Sequence, residues 1–426
     1  MDEGSDLLEL IRELYPLTRS ITGDGVRKTL QRLTDIVPME IHEVPTGTKV
    51  LDWEIPREWN IRDAYIRNES GEKIVDFRDS NLHVMSYSTP VHETLTRDQL
   101  LPHLHSDPEK PEWIPYRTSY YSEGWGFCVS DKQLQQIPAG NYEVFIDSTL
   151  EAGSLTYGEV VIPGRTDEQC IFYTHICHPS LCNDNLSGIA VCAYLAKWLQ
   201  DRDNHFTYRV IFAPGTIGSI TWLAQNQENL SSIRHGLVLA LLGDGAPLHY
   251  KQTRNGNAEI DRIVQAYLSI EQRDSQVSAF SPWGYDERQF GSPGFALPVG
   301  RLTRSAEEGY AEYHTSADNL ELVSSTALAA ALSAVQDIVE ILDSNRRYRN
   351  LAPHGEPQLG RRGIYRDTGG AASPELQRAL LWVLSLSDGD HDLVEIYKRS
   401  ALHYETLLQA VEMLAGAGLL EQIDGN

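Results

Sequence analysis

The pattern of apolar and polar positions divides the chain into regions of different character. Apolar side chains at helical spacing predict two amphipathic helices at the start of the chain, the first from Leu7, Leu8, Ile11, Leu14 and Tyr15 and the second from Val26, Leu30 and Leu33. Between about residues 41 and 155, short alternating segments such as EIHEV, DAYIRN and EKIVDF replace the helical period. We therefore predict an inserted β-rich domain over residues 41–155.

From residue 158 onward the pattern becomes a strand followed by a helix, repeated. CIFYTHI precedes SGIAVCAYLAKWLQ, YRVIFAP precedes GSITWLAQNQENL, and GLVLALLG precedes AEIDRIVQAYLSI. Apolar runs such as residues 210–213 and 237–242 are typical of strands that are buried on both faces of a sheet. The pattern predicts an α/β domain with a mostly parallel sheet and crossover helices, built from residues 1–40 and 156–345.

The polar, Pro- and Gly-punctuated segment NRRYRNLAPHGEPQLG predicts a linker to a last domain. Residues 355–426 contain three helical stretches, the outline of a helix-turn-helix or winged-helix module. These residues include six Lys and Arg against eleven Asp and Glu, whereas a DNA-binding domain normally has a basic face. We expect a packing or dimerisation module, hence a homo-oligomer, and no nucleic-acid partner.

The composition of the whole chain also argues against a nucleic-acid partner. The chain has 426 residues, with 36 Lys and Arg against 60 Asp and Glu, and a formal net charge of −24. That balance disfavours phosphate contacts. Acidic residues at the N-terminus and the absence of a long apolar run predict no membrane partner and a cytoplasmic location. Five cysteines are too few for a disulfide framework, so reduced thiols are expected.

Candidate chemistry lies directly after the predicted strands. His175 ends CIFYTH, Asp184 follows in NDNLSG, Asp244 follows VLALLG, and His314 lies beyond PVGRL. Because the carboxyl ends of parallel strands share one edge of a sheet, we expect these side chains to meet there. Imidazole and carboxylate ligands are typical of zinc. Taken singly, each has an ordinary alternative: a hydrogen-bonded histidine, a helix cap or a turn residue.

Several segments carry a resemblance: RTSYYSEGWGFCVS, THICHPSLCNDNLSG, GTIGSI, DERQFGSPGF and EYHTSADN. With them the chain resembles the M28-type zinc aminopeptidases, and more closely a bacterial group of aminopeptidase-like proteins with an inserted β domain and a C-terminal winged-helix domain. The resemblance implies a zinc-dependent hydrolase of an amide or peptide bond in a small substrate. The resemblance also implies that His175, Asp184, Asp244 and His314 are metal ligands, because they match the ligand positions of that family.

The chain departs from that family at one important place. After the next strand the family has two adjacent glutamates, one a general base and one a metal ligand, where this chain has Gly215-Thr216. The loss of a ligand favours one zinc ion over two. His178 could replace the missing ligand, or could be the turn residue of a His-Pro pair. A non-catalytic binding protein that kept the fold without the Glu pair is the rival hypothesis.

The missing pair also leaves the general base unassigned. Hydrolysis needs a group that accepts the proton of the attacking water and passes it to the leaving amine. We favour Glu287 in DERQF, with Asp286 and Glu312 as the other candidates. The structural alternative for Asp286 and Glu287 is a solvated acidic pair or a salt bridge to Arg288.

Aromatic and basic residues are candidates for substrate binding. Tyr120, Tyr121 and Trp125, together with Arg117, come from the β-rich insert, which we expect to cover the metal. Arg254 could pair with a substrate carboxylate through its two-pronged guanidinium group. The alternatives are a place in the core for the aromatic residues and a surface ion pair for the arginine.

Overall fold

The computed structural model describes residues 3–305, 310–364 and 373–423. The chain forms two compact units: the first is Met1–Gly256 with Ser278–Ser333, and the second is Asn257–Val277 with Ala334–Asn426. The predicted α/β domain included Asn257–Val277, which the structure groups with the C-terminal residues. The predicted winged-helix range, 355–426, includes residues 365–372 and 424–426, which lie outside the described residues.

The helices of the described residues are, in chain order, α1 (Glu3–Leu14), α2 (Asp24–Leu33), α3 (Arg97–Leu100), α4 (Asp131–Gln135), α5 (Gly188–Gln200), α6 (Ile217–Gln225), α7 (Glu259–Glu271), α8 (Glu287–Phe290), α9 (Ser325–Ser344), α10 (Pro374–Leu386), α11 (Leu393–Ser400) and α12 (Tyr404–Gly416). An irregular helical turn, Cys182–Ser187, precedes α5. Both N-terminal helices form where the apolar spacing predicts them, with Leu7, Ile11, Val26 and Leu30 fully buried.

The strands of the described residues are β1 (Glu40–Pro45), β2 (Lys49–Val50), β3 (Trp53–Glu54), β4 (Glu58–Asn68), β5 (Lys73–Asp76), β6 (Val91–Thr96), β7 (Leu104–His105), β8 (Phe127–Cys128), β9 (Asn141–Glu151), β10 (Ser154–Ile162), β11 (Gln169–His175), β12 (Thr207–Ala213), β13 (Ile233–Leu239), β14 (His249–Lys251), β15 (Gln276–Ser278), β16 (Val299–Thr303), β17 (Arg347–Asn350), β18 (Asp388–Asp392) and β19 (Leu420–Ile423).

A large sheet organises the first unit. Its strands follow the order β1-β10-β12-β11-β13-β16-β14. The central strands β12, β11, β13 and β16 run parallel, whereas β1, β10 and β14 join antiparallel at the flanks. Almost every residue of β11 and β13 is buried, as expected for strands covered on both faces. The predicted α/β fold with a mostly parallel sheet is confirmed.

The β-rich insert forms its own antiparallel sheet in the order β5-β4-β9-β6. Alternate residues of β9 point into a core that includes Tyr142, Val144 and Ile146. Residues 41–45, which we assigned to the insert, belong to β1 and pair with β10 in the large sheet. Alternation predicts a strand at this point but does not say which sheet the strand joins.

The second unit contains a three-stranded antiparallel sheet, β18-β17-β19, together with α10, α11 and α12. Ser373 accepts a hydrogen bond from the backbone of Leu376 at the start of α10, and Asp392 caps α11 in the same way through Glu395. Three helices with a small antiparallel sheet are the architecture of a winged-helix domain, as predicted.

Two further expectations concern membranes and thiols. One described helix, α9, is long and apolar enough to cross a membrane by length and composition, and more than half of its most apolar stretch is buried inside the protein, as in the core helix of a soluble protein. All five cysteines are buried and free, in agreement with the expected reduced thiols.

Candidate metal centre and its cavity

Three histidines and one aspartate meet at the carboxyl end of β11. His175 is the last residue of this strand, His178 follows in the next loop, and Asp184 lies in the irregular turn before α5. One possible ligand atom from each of His175, His178 and Asp184 lies within 4.8 Å of those of the other two residues. His314 joins them from a distant loop, with its Nε2 3.0 Å from Asp184 Oδ2. His175 Nε2 is 2.7 Å from Asp184 Oδ1, and His178 Nε2 is 3.8 Å from Asp184 Oδ2.

Hydrogen bonds from neighbouring polar residues hold this arrangement in place. Asn185 donates to Thr174 Oγ1 and to the His175 carbonyl, so it connects the irregular turn to the end of β11. Asp318 accepts the backbone N–H groups of Asn183 and Asp184 at 2.6 and 2.9 Å. The Asp184 carboxylate is therefore fixed from its own backbone and points into the cluster.

Unpaired polar atoms show that the cluster fits a metal ion. His175 Nδ1 is buried without a hydrogen-bond partner among the described residues, and Asp184 Oδ2 and His314 Nε2, which lie 3.0 Å apart, are buried without a hydrogen bond of good geometry. Buried polar atoms without partners are uncommon in folded proteins, and a zinc ion accepts imidazole nitrogen and carboxylate oxygen. His314 also has a φ of +53°, a backbone conformation rarely adopted outside glycine that tends to occur at functional sites.

The electrostatics of the cluster suit metal binding as well. Burial lowers the pKa of His178 to about 3, so its imidazole is neutral and able to act as a ligand at physiological pH. Burial alone would raise the pKa of Asp184, but the neighbouring imidazoles of His178, His175 and His314 lower it well below its usual range. Asp184 is therefore an anion at neutral pH.

Asp244 lies outside this cluster. Its two carboxylate oxygens accept hydrogen bonds from Asn183 Nδ2 and from the backbone of Ala246, each at 2.8 Å. Asn183 in turn accepts from the Gly243 N–H group, which ties the loop after β13 to the irregular turn. Both oxygens of Asp244 therefore join two loops, and its role as a metal ligand stays a prediction.

The carboxylate of Asp286 occupies the space next to Gly215. A Cβ atom at Gly215 would lie 3.0 Å from Asp286 Oδ2 and 3.2 Å from the Cβ of His175. Asp286 is buried, and its Oδ1 accepts a 2.6 Å hydrogen bond from Ser219 at the start of α6. Burial raises the pKa of Asp286 to about 6. A carboxylate thus stands beside the position at which the resembling peptidases carry their glutamates.

Glu287, our predicted general base, is placed differently. Its Oε1 is 2.8 Å from Lys251 Nζ and 3.8 Å from Arg301 Nη1, and all three side chains are buried. The ion pair that we considered as the structural alternative thus exists, with Lys251 and Arg301 in place of Arg288. Asp286, but not Glu287, lines the cavity that opens at the cluster of His175, His178, Asp184 and His314.

A cavity of about 450 Å³ opens at the cluster and is rich in aromatic side chains. Its lining consists of Trp53, Tyr120, Tyr121, His175, His178, Gly215, Thr216, Trp283, Gly284, Tyr285, Asp286, Tyr313 and His314. Tyr285 stacks on His175 with ring centroids 5.0 Å apart, and Tyr313 stacks on His314 at 3.9 Å. The β-rich insert supplies Tyr120 and Tyr121 to this lining, as we expected of a cover.

The other predicted binding residues lie away from the cavity lining. Trp125 stacks on His103, with ring centroids 3.7 Å apart, and packs against the core of the insert. Arg254 donates a hydrogen bond to the Gly291 carbonyl. Sequence reasoning missed Trp53, Trp283, Tyr285 and Tyr313. Tyr285 and Tyr313 directly precede Asp286 and His314, so proximity to these candidates was an available signal, whereas Trp53 had none.

Comparisons with known proteins agree with this architecture. Residues 8–345 match the profile of a family described as "Domain of unknown function (DUF4910)", and residues 346–422 match a winged helix-turn-helix family. A Clostridium acetobutylicum protein, provisionally described as a polysaccharide biosynthesis protein with an aminopeptidase-like domain, is 48% identical over 423 residues, which cover 99% of this chain and 97% of that protein.

Solved structures of other proteins share the architecture of this chain. The crystal structure of a provisionally described peptidase from Clostridium acetobutylicum has a TM-score of 0.94 and 47% identity, covering 99% of this chain and 96% of that one. A zinc aminopeptidase from Bacillus subtilis has a TM-score of 0.57 and 13% identity, covering 80% of this chain and 94% of that one. An M28 peptidase precursor from Shewanella amazonensis has a TM-score of 0.55 and 13% identity, with coverage of 80% and 92%. The two distant structures establish the aminopeptidase-like fold.

Proposed function

Because this chain belongs to the DUF4910 family and has an aminopeptidase-like fold, we propose that it is a zinc-dependent hydrolase of an amide or peptide bond in a small substrate. The observation that carries the proposal is the cluster of His175, His178, Asp184 and His314 at the end of an aromatic cavity, in which the Nε2 atoms of His175 and His314 lie 2.7 and 3.0 Å from the Asp184 carboxylate.

His175, Asp184 and His314 would hold the ion, with His178 as a fourth ligand. This set lacks the carboxylate that the resembling peptidases add at Gly215-Thr216, so we favour one zinc ion over two. When bound, zinc supplies Lewis acidity, which polarises a carbonyl group and makes water easier to deprotonate. The neutral imidazole of His178 and the ionised carboxylate of Asp184 suit a divalent cation.

Asp286 would accept the proton of the attacking water and pass it to the leaving nitrogen. Three features support this role: its carboxylate lines the cavity, Ser219 fixes one of its oxygens at 2.6 Å, and the absence of a side chain at Gly215 leaves room for it. A pKa of about 6 keeps Asp286 ionised at pH 7, yet close enough to the working pH to give the proton back.

The test is a measurement of zinc content and amide hydrolysis on the full chain. Elemental analysis of the zinc-loaded protein should give about one zinc per chain, and His314→Ala should lose most of it because one ligand is gone. His92→Ala, which removes an exposed histidine of the insert, is the matched control and should keep its zinc.

Hydrolysis of a panel of acylated amines and amino-acid amides should stop on chelation and return with zinc. Full zinc binding by His314→Ala would overturn the ligand assignment. Tight ligand binding without turnover under any metal would overturn the hydrolase and support the rival hypothesis of a binding protein that kept the fold.

A further inference from the structure

The large exposed aromatic side chains of the described residues gather at one place. Among the described residues, three large aromatic side chains are exposed, Trp53, Tyr121 and Trp283, with exposed fractions of 44%, 56% and 71%. All three line the cavity at the metal cluster. They come from three separate segments of the chain, so the amphipathic pattern of one element does not explain their convergence. Apolar surface that is concentrated in this way marks a binding site.

These rings form the outer part of the cavity, and Tyr285 and Tyr313 form the inner part beside the metal cluster. The rings of Trp53 and Tyr121 are 5.3 Å apart and tilted. Trp283 is held through its backbone, because buried Lys251 donates a hydrogen bond to its carbonyl oxygen. A ligand that reaches the cluster therefore passes aromatic faces first.

The charge of the lining indicates a neutral ligand in this outer part. Among the described lining residues there is no Lys or Arg, and Asp286 is the sole carboxylate besides the cluster itself. A substrate carboxylate would call for an arginine or lysine. The α-ammonium group of a peptide would call for an acidic side chain among the outer lining residues of this cavity, which include none; Glu54 and Glu123 line the adjoining cavity, where Glu123 is paired with Arg57.

A second cavity adds polar partners next to the aromatic rings. This space of about 280 Å³ shares Tyr120 and Tyr121 with the first cavity, and its lining includes Glu54, Arg57, Ser119, Ser122 and Glu123. Hydroxyl, carboxylate and guanidinium groups of this kind pair well with the hydroxyl groups of a ligand. Apolar ring faces combined with a rim of hydroxyl groups are the chemistry of a pyranose sugar.

We propose that the outer cavity binds a hexopyranose ring against Trp53, Tyr121 and Trp283, and that the substrate is an N-acylated amino sugar. The amide half of this inference rests on the proposed hydrolase, whereas the sugar site stands independently of catalysis. Hydrolysis of such a substrate adds water across the C–N bond, with the hydroxyl going to the acyl carbon and the proton to the sugar nitrogen.

Binding is tested by saturation-transfer NMR on the zinc-loaded full chain with two probes, N-acetylglucosamine and N-acetylphenylalaninamide. The ring protons of the sugar should receive saturation, and Trp283→Ala and Trp53→Ala should each weaken sugar binding by about 10-fold through lost stacking. Trp382→Ala, on α10 of the other unit, is the matched control and should bind as the parent chain does.

The outcomes separate this inference from the proposed function. Sugar binding that depends on Trp283, without any amide turnover, supports the sugar site and overturns the hydrolase. Hydrolysis of peptide amides with no saturation of the sugar overturns the sugar site and leaves the hydrolase intact. If the parent chain does not bind the sugar, and Trp283→Ala loses binding of N-acetylphenylalaninamide, the sugar site is wrong. The aromatic wall formed by Trp53, Tyr121 and Trp283 would then bind a peptide side chain.

Discussion

Asp286 and Glu287 are adjacent in sequence, but their side chains lie in different surroundings. Asp286 lines the cavity and accepts a hydrogen bond from Ser219, whereas Glu287 is paired with buried Lys251. Because the pair stands at the start of the short helix α8, consecutive side chains point in different directions. The sequence offers these two carboxylates and Glu312 as candidates for the proton acceptor and does not choose among them, and our proposal of Asp286 rests on the three-dimensional environment of each carboxylate.

The residue-scale prediction concerns Asp286. Asp286→Asn should lower kcat by about 10²- to 10⁴-fold with zinc content unchanged, because the variant removes the proton acceptor and leaves the ligands intact. In the parent chain, burial raises the Asp286 pKa to about 6. The acceptor works only when ionised, so kcat should fall as the pH drops through about 6 and level off above it. Steady-state kinetics between pH 5 and pH 8 measure both effects.

Glu312→Gln serves as the control, since Glu312 was another candidate and is absent from the cavity lining. It should keep the parent's kcat and pH profile. An Asp286→Asn variant with the parent's kcat, or a parent profile without an acidic limb, would show that another group accepts the proton.

At the scale of elements, the site depends on which strand ends meet. The rule that ligands gather at the carboxyl ends of parallel strands correctly predicts that His175, Asp184 and His314 come together. Asp244 satisfies the same rule, because it follows β13, yet its carboxylate is used by Asn183 and Ala246. Hydrogen bonds between loops depend on three-dimensional contacts that have no period in the sequence, so the pattern could not predict these partners of Asp244.

Asp244→Ala provides the element-scale prediction. It removes the acceptor of the buried Asn183 amide, so we expect the free energy of unfolding to fall by about 1–3 kcal/mol. Zinc content should stay at the parent's level. Chemical denaturation and elemental analysis on the same preparation measure the two quantities. Loss of zinc without loss of stability would restore Asp244 as a ligand.

The aromatic wall shows a different limit of sequence reasoning. Trp53 lies on β3 in a short hairpin, and Trp283 lies on the loop before α8. Neither occupies a periodic position or a recognisable motif, and the two are separated by most of the α/β domain in sequence. Trp53 and Trp283 meet at one cavity because of how the insert and the loop before α8 pack. The pattern of apolar residues along the sequence does not predict that packing.

For the whole molecule, composition and periodicity predict a great deal. The alternation of strands and helices predicts the parallel sheet because buried parallel strands need continuous apolar runs. The three C-terminal helical stretches predict the winged-helix domain, whose family also matches residues 346–422. The borders of the domains were harder to predict. Residues 41–45 have the alternating pattern that we assigned to the insert, but they pair with β10 of the large sheet.

The acidity of the C-terminal domain gives the whole-molecule prediction. Its six Lys and Arg are outnumbered by eleven Asp and Glu over residues 355–426, so it lacks the excess of positive charge that phosphate contacts require. A gel-shift titration of the full chain at low salt, against a pool of random duplexes, should show no sequence-specific complex. Enrichment of one sequence from the pool, with an affinity that falls steeply as salt rises, would contradict this expectation.

The close approach of Gly215 and Asp286 also bears on how such a site changes during evolution. A glutamate at position 215 and an aspartate at position 286 would compete for one volume, because even a methyl group at Gly215 lies 3.0 Å from the aspartate oxygen. We therefore expect substitutions at the two positions to be coupled, since an acidic side chain at position 215 requires the Asp286 carboxylate to shift. Judged at position 215 alone, the chain lacks a carboxylate, whereas the structure has the Asp286 carboxylate within 3.0 Å of where a Cβ atom would stand at Gly215.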